Sequence, residues 1–166
     1  MKLCLLTLSA AVLSTAAVAS DLPKEGKVSG TYNSVGSIKQ ITAGKNLVAW
    51  TFDENGFSIG DSGTLFDHVT WHCIGMGSVV NGEMSAKGNC VGTDPNGDQI
   101  FLDVTGDPSP AEAKAISGKT TFVDGTGKYA GISGGNMYVL HGPEFKTATE
   151  QTYVQYGLLE GSYKFK

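Results

Sequence analysis

Residues 67–93 read DHVTWHCIGMGSVV, then Asn81-Gly82, then EMSAKGNCVGT, and this stretch decides the fold. Asn-Gly between two alternating runs is the strongest short signal for a β-hairpin, because a type I′ turn needs positive φ at both central residues. A two-residue turn also sets the register of the strands behind it. Val80 then faces Glu83, and stepping outward one residue at a time on each strand brings Cys73 opposite Cys90. Every second pair of an antiparallel ladder is not hydrogen bonded and holds its side chains closest. Counted from the hydrogen-bonded pair at the turn, Cys73 and Cys90 occupy such a position, where a cross-strand disulfide fits.

The hairpin separates an inside from an outside. One face carries Val69, Trp71, Cys73, Gly75, Gly77 and Val79, matched by Met84, Ala86, Gly88, Cys90 and Gly92. The other face of the second strand is Glu83, Ser85, Lys87, Asn89 and Val91. This is the apolar-in, polar-out alternation of an antiparallel sheet with one wet face. Several glycines on the inner face suggest a strongly bent sheet or an interior that leaves room for something, with packing space for Trp71 and its neighbours as the plainer reading. On the outer face of the first strand, Phe66, Ile74, Met76 and Val80 are expected, a set that suggests burial against a partner.

Working outward, the chain keeps the same rhythm. Lys27–Thr42 reads as a strand with a break near Val35-Gly36, and residues 44–46 as a turn. Leu47–Phe52 is a strand with Val48, Trp50 and Phe52 on one face. Asp53-Glu54-Asn55-Gly56 reads as a second Asn-Gly turn, from which Phe57–Gly60 returns. Beyond the hairpin come a turn at Asp94–Asp98 and a strand at Gln99–Thr105. A loop with one helix-like turn at Ala111–Ala115 follows. Further strands are expected at Ile116–Val123 and Gly135–His141, and Thr152–Leu159 and Gly161–Phe165 give the closing strand or strands. Short strands at regular spacing, with 23 glycines for the turns, make an all-β fold. Sequential hairpins point to an antiparallel up-and-down β-barrel of about eight strands, which leaves no exposed edges.

The 166 residues carry a net charge of −4, with 17% charged and 40% hydrophobic residues, a composition for one globular domain. No basic patch is concentrated enough for nucleic acid. Lys2 followed by the apolar run Leu3–Val18 and the Ala17-Val18-Ala19 site reads as a secretory signal, residues 1–19, removed after Ala19. The run is short for a membrane span, and no second one follows. The expected mature domain, residues 20–166, is therefore secreted or periplasmic. Cys4 leaves with the signal, so Cys73 and Cys90 form an even pair in an exported chain, which reads as a disulfide.

The run TFVDGTGKYAGISG, Thr121–Gly134, resembles a crossover of the dirigent and allene oxide cyclase barrel superfamily. Gly125, Thr126, Gly127, Lys128, Tyr129, Gly131 and Gly134 stand at matching positions. The glycines allow a tight crossover and Tyr129 is placed to plug the barrel base. The resemblance implies an eight-stranded barrel, often trimeric, without cofactor. Its members include cyclases and proteins that steer radical coupling. A homo-oligomer, a trimer by this resemblance, is the expected assembly.

The chemistry is less legible. His68 and His72 are four residues apart, but on a strand that is about 13 Å at ~3.3 Å per residue, too far to share a metal. Surface histidines and no metal site are expected. Asp94, Asn96 and Asp98 alternate as in a calcium loop, yet Gln99 and Thr105 stand where an EF-hand needs Gly and Glu. Asp67, expected on the inner face near a barrel mouth beside Trp71, is the candidate acid or base, and a solvated or hydrogen-bonded loop aspartate is the plainer reading of it. Trp71, Trp50, Tyr32 and Tyr138 are candidates to line a ligand pocket. Three functions follow as expectations. The first is a barrel binding a small apolar or aromatic molecule. The second is a cofactor-free cyclase or isomerase, and the third a structural module with a filled interior.

Overall fold

Nine strands and one turn of 3₁₀-helix account for most of the computed structural model, which describes residues 22–145 and 151–166 except positions 44 and 62. The segment read as a signal, with its cleavage near Ala19, lies outside those residues. The strands are β1 (Glu25–Ala43), β2 (Leu47–Gly60), β3 (Val69–Val80), β4 (Glu83–Thr93), β5 (Gln99–Gly106), β6 (Ser109–Pro110), β7 (Ala115–Gly125), β8 (Ile132–Phe145) and β9 (Gln151–Phe165), with the 3₁₀ turn at Gly127–Tyr129. All pairings are antiparallel. The order β3-β2-β1-β9-β8-β7-β5-β4 closes through β3–β4 into an eight-stranded barrel, and the two-residue β6 adds to the start of β4.

The β3–β4 hairpin forms in the expected register. Asn81 and Gly82 both have positive φ, 53° and 86°, and Val80 pairs with Glu83 and Cys73 with Cys90. The two cysteines are joined as a disulfide with Cα atoms 4.1 Å apart, the close spacing of a non-hydrogen-bonded pair.

The second Asn-Gly behaves differently. Asp53–Gly56 makes no turn, because β2 runs unbroken through it, paired with β1 on one side and β3 on the other. Nor does β1 break at Val35-Gly36. In both places a glycine taken as punctuation is there for room. A Cβ on Gly56 would strike the Tyr32 ring, and one on Gly36 the Tyr153 ring. Propensity for a turn loses to cross-strand packing that local sequence does not display.

The barrel has a filled end and a hollow end. The filled end gathers Val28, Leu65, Phe66, Val69, Ile100 and Ile132, all essentially without exposure. Phe66 is the centre of this plug. Its ring meets Trp71 edge-on at 5.2 Å and Phe122 at 6.0 Å. This corrects the expectation that Phe66 faces outward. It belongs to the β2–β3 loop, not to β3, so strand alternation does not govern it. Ile74, Met76 and Val80 do face outward and are exposed.

The Thr121–Gly134 segment closes the same end. Tyr129 is buried there, and Lys128 Nζ lies 2.6 Å from Asp94 Oδ2. The Asp94 carboxylate also accepts the backbone N–H groups of Asn96 and Asp98. Asp98 accepts the N–H of Lys128. The Asp94–Asp98 loop thus uses its carboxylates to staple the β4–β5 turn onto the 3₁₀ turn.

Candidate functional site

Above the Phe66 plug the barrel encloses a cavity of about 780 Å³ that opens toward the β3–β4 turn and the β5–β7 connection. The volume is that of a small-molecule site. The cause is a pairing of large with small residues across neighbouring strands. Trp50 lies across Gly77, Phe52 across Gly75 and Gly88, Trp71 across Gly92, and Tyr138 against Gly118. Each ring occupies the space that a Cβ would fill on the adjacent strand. The aromatics therefore lie along the wall and leave the lumen open. The glycines of the inner face do give packing space for Trp71 and its neighbours, and the same arrangement makes the interior hollow.

Of the residues singled out from sequence, Trp71, Trp50, Tyr32 and Tyr138 all line this cavity, as do Cys73 and Cys90 of the disulfide. Asp67 does not. It lies in the β2–β3 loop at the filled end, where its carboxylate accepts the N–H of Gly63 at 3.3 Å and sits 2.6 Å from His68 Nδ1. The strand alternation that placed Asp67 beside Trp71 stops at Val69, where β3 begins. The three histidines are exposed on the outside. His72 contacts Asp53, and His141 stacks on Tyr156.

The carboxylate inside the cavity is Glu54. It is 5% exposed and receives three hydrogen bonds. Tyr32 donates its hydroxyl to Oε1 at 2.6 Å, and Tyr153 and Gln155 donate to Oε2, each at 2.6 Å. The barrel register builds the cluster. Gly36 of β1 is paired with Glu54 on one side and Tyr153 on the other. With no side chain at Gly36, the Tyr153 ring crosses β1 to reach Glu54. Gly56 lets Tyr32 do the same from β1 onto β2. Burial raises the pKa of both phenols well above the ordinary tyrosine value, and the charge and hydrogen bond of Glu54 raise them further. Both hydroxyls keep their protons and remain donors. Burial, with lesser help from the charges of Asp107 and Glu54, also raises Tyr138. Across the lumen, Thr120 and Asn136 form a second polar pair at 2.5 Å.

Glu54 has no cationic partner among the described residues. The ion pairs there join Asp67 to His68, Asp53 to His72 and Asp94 to Lys128. Such a group is a recognised mark of a functional site, because an uncompensated buried carboxylate costs stability. Sequence reasoning missed Glu54 by assigning it to a turn. The signal was present. Val48, Trp50 and Phe52 alternate inward, and carrying that alternation two residues further puts Glu54 on the same face.

The class of the protein is a closed antiparallel barrel with one plugged end and an aromatic-lined cavity, into which one buried carboxylate, Glu54, is set among the described residues. Comparison with protein-family models, with curated proteins and with solved structures gives no match. Among the described residues no helix is long and apolar enough to cross a membrane.

Proposed function

We propose that the protein is an exported barrel that binds a small apolar or aromatic molecule in its cavity. The observation that carries this reading is the open, aromatic-walled lumen of about 780 Å³. A filled barrel would suit a structural module, and this interior is filled only below Trp71. The Cys73–Cys90 disulfide suits an oxidising compartment, in keeping with the signal read at residues 1–19. Native mass spectrometry of the mature protein from the exported fraction of its host tests the reading. A stoichiometric organic adduct supports it. Failure of hydrophobic probes to quench Trp50 and Trp71 at any accessible concentration overturns it.

A second reading has its own observation. Glu54, held by two protonated phenols at the end of an apolar cavity, is arranged as an acid–base group. A cofactor-free cyclase or isomerase of the allene oxide cyclase and dirigent kind would use Glu54 in that role, with the walls folding the substrate. Glu54→Gln abolishes turnover in that case, with substrate binding retained.

Self-association completes the proposal. Val139, Leu158 and Ile59 are exposed on the outer wall, and the register sets them at one level across β8, β9, β1 and β2. Light scattering on the eluting protein distinguishes a trimer from a monomer.

A further inference from the structure

Resting on the reading of the cavity as a ligand site, we propose that its ligand is an organic cation with a compact apolar body. The inference comes from what the lumen supplies and what it omits. It supplies one buried carboxylate and the rings of Tyr32, Trp50, Phe52, Trp71, Tyr138 and Tyr153. It omits a countercharge for Glu54 among the described residues. The lysines at the cavity, Lys87 and Lys114, are exposed, and Lys114 belongs, with Asp107 and Glu112, to the connection that borders the mouth. Among the described residues, the buried charge that lines the cavity is therefore negative.

Three donors engage Glu54, one on Oε1 and two on Oε2. A carboxylate offers about four acceptor sites, so among the described residues Oε1, with one donor, keeps acceptor capacity for a further group. A neutral apolar ligand would bury that charge more deeply and leave it unpaired, which disfavours binding. A cation pairs with it where water is excluded and the attraction is strong. The surrounding aromatic rings add attraction to the same charge through their quadrupoles. The overall charge of −4 also favours approach of cations.

The test uses the folded, disulfide-bonded protein and two probes of the same shape, trimethylphenylammonium and tert-butylbenzene, which differ by nitrogen for carbon. Binding is followed by quenching of tryptophan fluorescence and by calorimetry. The expected result is at least tenfold tighter binding of the ammonium, with the preference lost in Glu54→Gln and kept in Asp67→Asn, which removes a carboxylate outside the cavity. Equal binding of the two probes, or tighter binding of tert-butylbenzene, overturns the cation inference and leaves the cavity reading standing. Absence of binding by either probe overturns both. Thermal melts of the two variants confirm that they fold, and the comparison of probes on the unaltered protein decides the matter if either does not.

Discussion

The two ends of this barrel are built from the same eight strands with the same inward–outward alternation, yet one end is solid and the other hollow. At the plugged end, large residues face large residues. Leu65, Phe66, Val69, Ile100 and Ile132 interdigitate and exclude solvent, as a close-packed core does. In the upper half, large residues face glycine. Trp50 over Gly77 and Phe52 over Gly75 and Gly88 place each ring in its neighbour's vacant Cβ position. Within the strands, alternation decides which residues point inward, and the β2–β3 loop adds Leu65 and Phe66 to the plug. Whether the inside is filled depends on how sizes are paired across strands, and that pairing places stability at one end and room for a ligand at the other.

The largest test of this contrast sets Phe66→Ala against Trp50→Ala. Removing a fully buried aromatic costs about 3–5 kcal/mol, and Phe66 is such a residue. The expected outcome is a fall in melting temperature on the order of 10 °C. Trp50 already borders open space, so its loss leaves little new cavity and a much smaller fall, while ligand binding suffers more. Equal destabilisation by the two variants would break the division of labour between the ends.

The disulfide comes next. It closes a chain separation of 17 residues, and a loop of that size is worth about 3 kcal/mol in chain entropy. Cys73 and Cys90 sit between the plug and the aromatic wall, so Cys73→Ser with Cys90→Ser is expected to lower stability by that order in denaturant melts. A loss well under 1 kcal/mol would mean that β3 and β4 are already held together without it.

Much of this was readable in the sequence, for a reason visible in the hairpin. Asn81-Gly82 fixes the register locally, and the disulfide and the inward set from Val69 to Val79 follow by counting. Of the candidate lining residues, Trp71 was placed inward by the same counting, whereas Trp50, Tyr32 and Tyr138 were named for aromatic character and their inward faces needed the structure. The Glu54 cluster was not reached by either route. Its turn-like setting, Asp53–Gly56, is identical in kind to the true turn at Asn81-Gly82, and what distinguishes them is Tyr32, brought over Gly56 from another strand. Asp67 and Phe66 failed for the complementary reason. They flank β3 in a loop, where the two-residue period no longer assigns a face.

Gly36→Ala turns that lesson into a smaller prediction. The atoms that a Cβ would meet at Gly36 are all on the Tyr153 ring, so the ring must shift away from Glu54. Overpacking of this kind costs about 1–3 kcal/mol, and the loss of one donor to Glu54 accompanies it. The expected signature is a modest drop in stability together with altered binding in the cavity. A variant that binds and melts as the original does would show that β1 bends freely enough to accommodate the side chain, and that the glycine is not what brings Tyr153 to the carboxylate.

The smallest effect concerns the staple at the plugged end. Burial pushes the Asp94 carboxyl up, but the Lys128 ammonium beside it and the N–H groups of Asn96 and Asp98 outweigh this and hold it below the ordinary aspartate value. A depressed folded pKa adds stability above the unfolded value, near pH 4, and that stability is lost as pH falls through the lower folded value. Stability is therefore expected to decline below about pH 4 and to decline less steeply in Asp94→Asn. Asp124, also held below its usual value by the N–H groups of Gly125 and Gly131, keeps some slope in that variant. Hydrogen exchange through the acid range locates the effect. Amides of the 94–98 and 126–131 segments should lose protection before those of β2 and β3 around Glu54. If the cavity walls open first, or all amides open together, the staple does not act on the plugged end alone.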